Sequence, residues 1–316
     1  MNAQAKLGAY LLGIVVIFGG ALGAGRAAGA AGLTPEAADG HGTHTTTTPA
    51  PAPAGAPVPG GLQVSQDGYT LTPQTTTVEP GRSTDFRFTV TGPDGRPVTG
   101  YRVQHDRKLH FIVVSRDLGS FQHLHPREAG GGVWSVPLTL PEAGSYRAFA
   151  DFAPEGGNGM TLGTDLQAAG VYAPKALPEA SRTSTVDGYT VTLDGDLVPG
   201  RSSKITLSVT KDGRPVTDLQ PYLGAYGHLV ALRGGDLAYL HVHPDGEPGD
   251  GRTAPGPGIT FHTEVPSRGD YRLFLDFQHG GVVRTADFTV HAGQAAPDAT
   301  PPTPTPEAGQ HGEHAH

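Results

Sequence analysis

Apolar and polar residues alternate along most of the chain between positions 62 and 292. YTLTP (69–73), DFRFTVTG (85–92), YTVTL (189–193) and KITLSVTK (204–211) all alternate. VWSVPLTLP (133–141) and ITFHTEVP (259–266) place an apolar residue at nearly every second position. A period of two predicts half-buried β-strands, and Asp94-Gly95 and Asp212-Gly213 add turn signals after two of them. The pattern breaks at both ends. LGAYLLGIVVIFGGALGAG (7–25) has no charge and is flanked by Lys6 and Arg26, so it is long enough to cross a bilayer as a helix. Residues 34–61 and 294–316 are rich in Pro, Thr, Gly and Ala and cannot bury a core.

The strand-rich stretch contains itself twice. Asp67-Gly68-Tyr69-Thr70 returns as Asp187-Gly188-Tyr189-Thr190, and Asp94-Gly95-Arg96-Pro97-Val98 returns unchanged from Asp212 to Val216. His110 and His123-Leu124-His125-Pro126 return as His228 and His241-Val242-His243-Pro244. Pro141, Gly144, Tyr146-Arg147 and Asp151-Phe152 return as Pro266, Gly269, Tyr271-Arg272 and Asp276-Phe277. A repeat this long is a domain rather than a solenoid unit. Gly-x-Tyr ahead of an alternating strand resembles the tyrosine corner of immunoglobulin-like sandwiches, and about seven short strands per copy fit that fold.

The chain therefore divides into a cytoplasmic start (1–6), a transmembrane anchor or signal segment (7–25) and a Pro/Thr-rich linker (26–61). Repeat 1 (62–175), a short linker (176–183), repeat 2 (184–292) and a disordered His-containing tail (293–316) follow. The fold class is mainly β: two tandem immunoglobulin-like β-sandwich domains after an N-terminal hydrophobic helix and linker. Each repeat has its own strands and turns, so each is expected to fold alone. Ala28-Gly29-Ala30 leaves a cleaved signal open beside a retained anchor. The domains lie outside the membrane in the first case as a secreted protein, in the second as a single-pass membrane protein.

Composition narrows the chemistry. There is no cysteine, which excludes disulfides, thiolate catalysis and blue-copper sites. The only methionines are Met1 and Met160, so a Met-rich Cu(I) site is excluded as well. The net charge is -8 and no basic run occurs, which argues against nucleic acid as a partner. No Gly-x-Ser-x-Gly elbow marks a hydrolase, and nothing nominates a catalytic carboxylate pair, so an enzyme is not expected.

Histidine is the unusual residue, with 15 copies. HLHP and HVHP each place two imidazoles on one face of a strand. Gly234-Gly235 lies midway between His228 and His241, and Gly-Gly is a favoured two-residue hairpin turn. A hairpin centred there sets His228 opposite His241, with His243 the diagonal neighbour. The spacing recurs in the first repeat, where His110 and His123 are centred between Arg116 and Asp117. The expected centres are thus one triad per domain: His110, His123 and His125, and His228, His241 and His243. Neutral imidazoles suit copper or zinc. Asp151 and Asp276 are weaker candidates, because strand alternation sets Asp276 opposite to Tyr271, Leu273, Leu275 and Phe277 and so towards the surface. His311, His314 and His316, with His41 and His44, form loose tracts that bind metals weakly. His105, His262, His279 and His291 have no counterpart in the other repeat and read as ordinary surface residues.

The run His-x12-His-x-His-Pro, followed by Pro-x-x-Gly-x-Tyr-Arg-x-Phe-x-Asp-Phe, resembles exported bacterial immunoglobulin-like proteins related to the copper-resistance carrier and YtkA-like families. The Gly/Ala/Pro-rich style and short anchor resemble actinobacterial proteins. The resemblance spans about 62–292 and implies a β-sandwich, a cell-surface location and copper or zinc handling. The expected function is an extracytoplasmic protein that binds or handles a divalent metal. The alternative is a non-catalytic adhesive or scaffolding module, and no feature of the sequence identifies a protein partner.

Overall fold

The structure is a computed structural model that describes residues 58–293 apart from His241. The expected anchor (7–25) and the terminal His tracts lie outside the described residues. Among the described residues every regular element is a strand, and no helix is long and apolar enough to cross a membrane.

Each repeat is a two-sheet sandwich. In the first, Ser65–Gln66, Tyr69–Pro73, Thr84–Thr91, Val133–Leu138 and Arg127–Glu128 pair in that order. Its second sheet runs Thr77–Val78, Met160–Ala168, Gly144–Pro154, Leu109–Ser115 and Phe121–Leu124, with Tyr101–Arg102 also paired to Gly144–Pro154. The second repeat pairs Thr183–Val186, Tyr189–Asp194, Ser202–Lys211, Gly258–Glu264 and Val242–Pro244, with Arg214–Pro215 beside Ser202–Lys211. Its other sheet is Tyr239–Leu240, His228–Arg233, Gly269–His279 and Val282–Ala292. Alternation decides which side chains turn inward: Phe86, Phe88 and Val90 are fully buried, as are Ile205, Leu207 and Val209. Both tyrosine corners form, Tyr146 donating to the Glu142 carbonyl at 2.8 Å and Tyr271 to the Ser267 carbonyl at 2.8 Å.

The strands facing the other domain, Gly144–Pro154 among them, do not alternate. Leu109–Ser115 is buried at all seven positions, and His228–Arg233 and Gly269–His279 are buried along nearly their whole length. Strands buried on both faces read as continuous apolar runs, because each face has its own cover. The second cover is the other domain. Ile112, Val114, Leu118 and Phe149 of the first repeat form one core with Val230, Leu232, Leu237, Tyr239 and Phe274 of the second. Phe121 stacks on Phe274 with ring centroids 4.0 Å apart, and the equivalent pair Tyr239 and Phe149 meets at 5.6 Å. Equivalent positions thus face each other across a pseudo-two-fold axis, as in an isologous dimer interface. The two halves, expected from the sequence to fold separately, share an apolar core.

The connecting segments are tied into this interface. Gly60, inside the sequence-defined linker, accepts from Tyr239 N of the second domain at 2.9 Å, while Gly61 N donates to Thr161 O of the first at 2.8 Å. Arg147 donates to the Gly61 carbonyl through Nε (2.9 Å) and Nη2 (2.6 Å). Leu177 packs against the inter-domain core, and Ser181 N donates to Thr289 O at 2.9 Å.

Candidate metal centre between the domains

The hairpins place the histidines. In the first domain Ser115 N bonds Ser120 O at 3.0 Å, and the register sets Ile112 opposite His123 and Phe111 opposite Leu124. The connection is the four residues 116–119, not a turn centred between Arg116 and Asp117. Asp117 builds it by accepting from Gly119 N (3.1 Å) and Ser115 Oγ (2.6 Å). Leu118 takes a left-handed φ of 59° and drops its side chain into the inter-domain core. The second domain does the same. Arg233 N bonds Ala238 O at 3.0 Å, Asp236 accepts from Ala238 N at 3.1 Å, and Leu237 has φ 63°. Gly234-Gly235 is thus half of a four-residue connection, and the expected pairing of His228 with His241 is corrected: Ala231 lies opposite Leu240 and Leu232 opposite Tyr239.

Sliding the register by two residues keeps each side chain on its face. His110, His123 and His125 therefore still share one, with ring centroids 4.8–5.4 Å apart. That face is turned not to their own domain's core but to the other domain. Beyond Leu240 the second domain departs from the expected triad. The chain changes sheet, and Val242–Pro244 pairs with Gly258–Glu264, which sets His243 opposite His262 on an exposed face. His241 lies outside the described residues. His228 instead joins the first domain's histidines, its ring 4.6 Å from that of His123 and 5.3 Å from that of His110, centroid to centroid. Ligand nitrogens of His110, His123 and His228 all lie within 4.8 Å of one another. Among the described residues the triad that forms lies between the domains rather than within one.

Asp276 completes it. His123 Nδ1 donates to Asp276 Oδ2 at 2.7 Å, with both side chains almost wholly buried, and Thr285 Oγ1 donates to Asp276 Oδ1 at 2.6 Å. Alternation gave the correct face for Asp276, but that face is covered, so the residue is 3% exposed rather than on the surface. Asp151, its equivalent, accepts from Thr161 Oγ1 at 2.9 Å and lies opposite His110 across the strand pair.

The hydrogen bonds fix the protons. His110 Nε2 lies 3.1 Å from the Gln104 carbonyl. A carbonyl and a carboxylate only accept, so in neutral rings His110 carries its proton on Nε2 and His123 on Nδ1. The inner nitrogens, His110 Nδ1 and His123 Nε2, then both present lone pairs to each other at 3.1 Å. Such a pair is stable only with something positive between or beside the two nitrogens. A proton on His110 is opposed, because burial, reinforced by the neighbouring His123, holds His110 down at about 3. That leaves a metal ion, or a proton on His123 Nε2 balanced by the Asp276 carboxylate, to join the two nitrogens. Burial likewise lowers His125 to about 4, and it pushes His228 well below the ordinary histidine value, helped by His123 and His110. In a tetrahedral site with metal–nitrogen bonds of ~2.0–2.1 Å, ligand nitrogens sit roughly 3.3–3.4 Å apart, close to the observed pair. Two further nitrogens at the site, His228 Nδ1 and His125 Nε2, are buried without a hydrogen-bond partner, and such groups ordinarily have one. The donor set fits a divalent transition metal, with Asp276 orienting His123 as a carboxylate backs a ligating imidazole.

Sequence reasoning set aside His105, yet its ring lies 5.8 Å from that of His228 and 6.2 Å from that of His110. His279 is structural, its ring nitrogens 2.7 Å from Tyr189 Oη and 3.1 Å from Asp218 Oδ1. His291 lies 3.0 Å from Asp270 at the surface.

These features define a class: tandem immunoglobulin-like sandwiches joined face to face around a histidine cluster. The chain belongs to the family described as Domain of unknown function (DUF8832), which matches residues 63–170 and again 184–294. No curated protein matches it. Among solved structures it is similar to the Escherichia coli adhesin FdeC, at 14% identity over 72% of this chain and 65% of that one, with a TM-score of 0.25. InvD of Yersinia pseudotuberculosis gives 18% identity over 76% and 62%, with a TM-score of 0.24. The chain spans less than two thirds of the length of either. At these TM-scores the likeness carries no argument about binding or activity.

Proposed function

We propose that this protein binds one divalent metal ion, copper or zinc, outside the cytoplasm, at a centre assembled from both domains. His110, His123 and His228 supply the ligands, His125 stands beside them, and Asp276 orients His123. The observation that carries the reading is the pair of inner nitrogens, His110 Nδ1 and His123 Nε2, 3.1 Å apart with both outer nitrogens committed to acceptors. The role is binding rather than catalysis. The uncharged 7–25 run and the Pro/Thr-rich stretch after it support an extracytoplasmic location.

The test is metal titration of the full chain in detergent, with His41, His44, His311, His314 and His316 changed to Ala so that the loose tracts contribute nothing. One ion per chain is expected for Zn(II) or Cu(II), with binding lost in His123→Ala. If neither metal binds above background, the non-catalytic adhesive or scaffolding module takes first place.

A further inference from the structure

Two openings lie beside the centre on the side of the second domain's sheet change. A cavity of about 70 Å³ is lined by His105, Asp151, His228 and His243, among others. A groove of about 610 Å³ opens beyond it, with His243, His262 and Glu264 on its wall. Gly159, Tyr239, Leu240 and His243 line both. His228 belongs to the cavity and to the triad. His243, directly opposed to His262 on the neighbouring strand, therefore stands on the wall of both openings, and the wall of the inner one also carries Asp151 and His228. Lys204, opposite His262 on the next strand, sits 3.7 Å from Asp245. On the opposite side of the cluster the cation of Arg107 is close enough to act on the His125 ring.

We infer that the ion enters and leaves the centre by the His243 side, with His243 as a transient ligand between the groove and His228; this rests on the metal-binding reading above. A dehydrating cation passes most easily where each departing water is replaced by another donor, and it avoids a fixed positive charge. A transient ligand lies on the path but not in the final site. Its removal must slow uptake and release by the same factor and leave the equilibrium untouched.

The test uses the same full chain with its loose tracts replaced, and follows Zn(II) uptake by stopped flow and release to a chromophoric chelator. In His243→Ala, and in His243→Gln as a check on folding, both rate constants are expected to fall several-fold together while Kd is unchanged. Arg107→Ala is expected to leave both rates as they were. Unchanged rates in both His243 variants overturn the inference. So does faster uptake in Arg107→Ala, which would place the mouth on the other side. A weakened Kd with normal uptake in His243→Ala also overturns it, because His243 would then be a resident ligand. In all three cases the parent still binds zinc, so the metal-binding reading survives; a parent that binds nothing removes both.

Discussion

His123 of the first domain donates to Asp276 of the second across 2.7 Å, and neither side chain keeps more than 4% of its surface in solvent. The contact spans the domain interface, fixes the His123 tautomer and leaves Nε2 turned to His110. Carboxylates behind ligating imidazoles typically contribute 10–100-fold in metal affinity. Asp276→Asn is therefore expected to weaken Zn(II) binding by roughly 10–100-fold, measured by calorimetry. Equal affinity in the variant would mean that the carboxylate does not support a ligand.

The same interface is an apolar core in which Phe274 stacks on Phe121 at 4.0 Å and 4°. Phe274→Ala should cost about 3–5 kcal/mol, the usual range for truncating a buried phenylalanine. Urea unfolding checks this, and a loss well under 1 kcal/mol would show that the domains do not depend on their contact.

The second repeat expressed alone, residues 181–293, would expose Val230, Leu232, Leu237, Tyr239 and Phe274 together. An apolar patch of that kind drives association. The fragment is expected to dimerise or aggregate in sedimentation analysis, whereas a clean monomer with a cooperative melt would restore the picture of two autonomous sandwiches.

Acid should weaken the metal-free protein. His110 is held at about 3 in the folded state, against ~6.5 when unfolded. Between those values the unfolded chain takes up a proton that the folded chain refuses. Stability is therefore full above about pH 6.5 and declines as pH falls towards 3, by about 1.4 kcal/mol per pH unit from this group. Urea melts at about pH 7 and about pH 4 measure the slope, and a flat profile would show that His110 is not buried neutral.

Gly61 has φ +74°, and a Cβ there would run into the Phe149 ring. Gly61→Val should dislodge the strand-like segment that bridges Tyr239 and Thr161. Faster amide hydrogen exchange at Tyr239 is the expected result, and unchanged exchange there would mean that the bridge is incidental.

Much of this fold was legible from the chain. The duplication, the alternating strands and the corners at Tyr146 and Tyr271 follow from local patterns, and local patterns survive into structure. The hairpin register did not. Gly234-Gly235 has the form of a complete turn, but Asp236 caps Ala238 and Leu237 is drawn into the other domain, which lengthens the loop. Alternation also gave the face of Asp276 without telling what covers that face. The signal was present: Phe149 and Phe274 share the outward parity of Asp151 and Asp276, so the strands are apolar on both sides. The change of sheet after Leu240 puts His243 on a different sheet from His228 and left no mark in the spacing.

An interface made of the same positions from both partners has the form of a symmetric dimer, here written into a single polypeptide. Fusion sets the ratio of the two halves at one to one, so assembling the centre requires no encounter between chains and does not depend on their concentration. It also ends the requirement that both halves stay alike. His125 remains beside the centre, while its counterpart His243 stands on another sheet, exposed to solvent. A pair of identical subunits must hold both such residues in the same place; one chain carrying both copies can give each its own task.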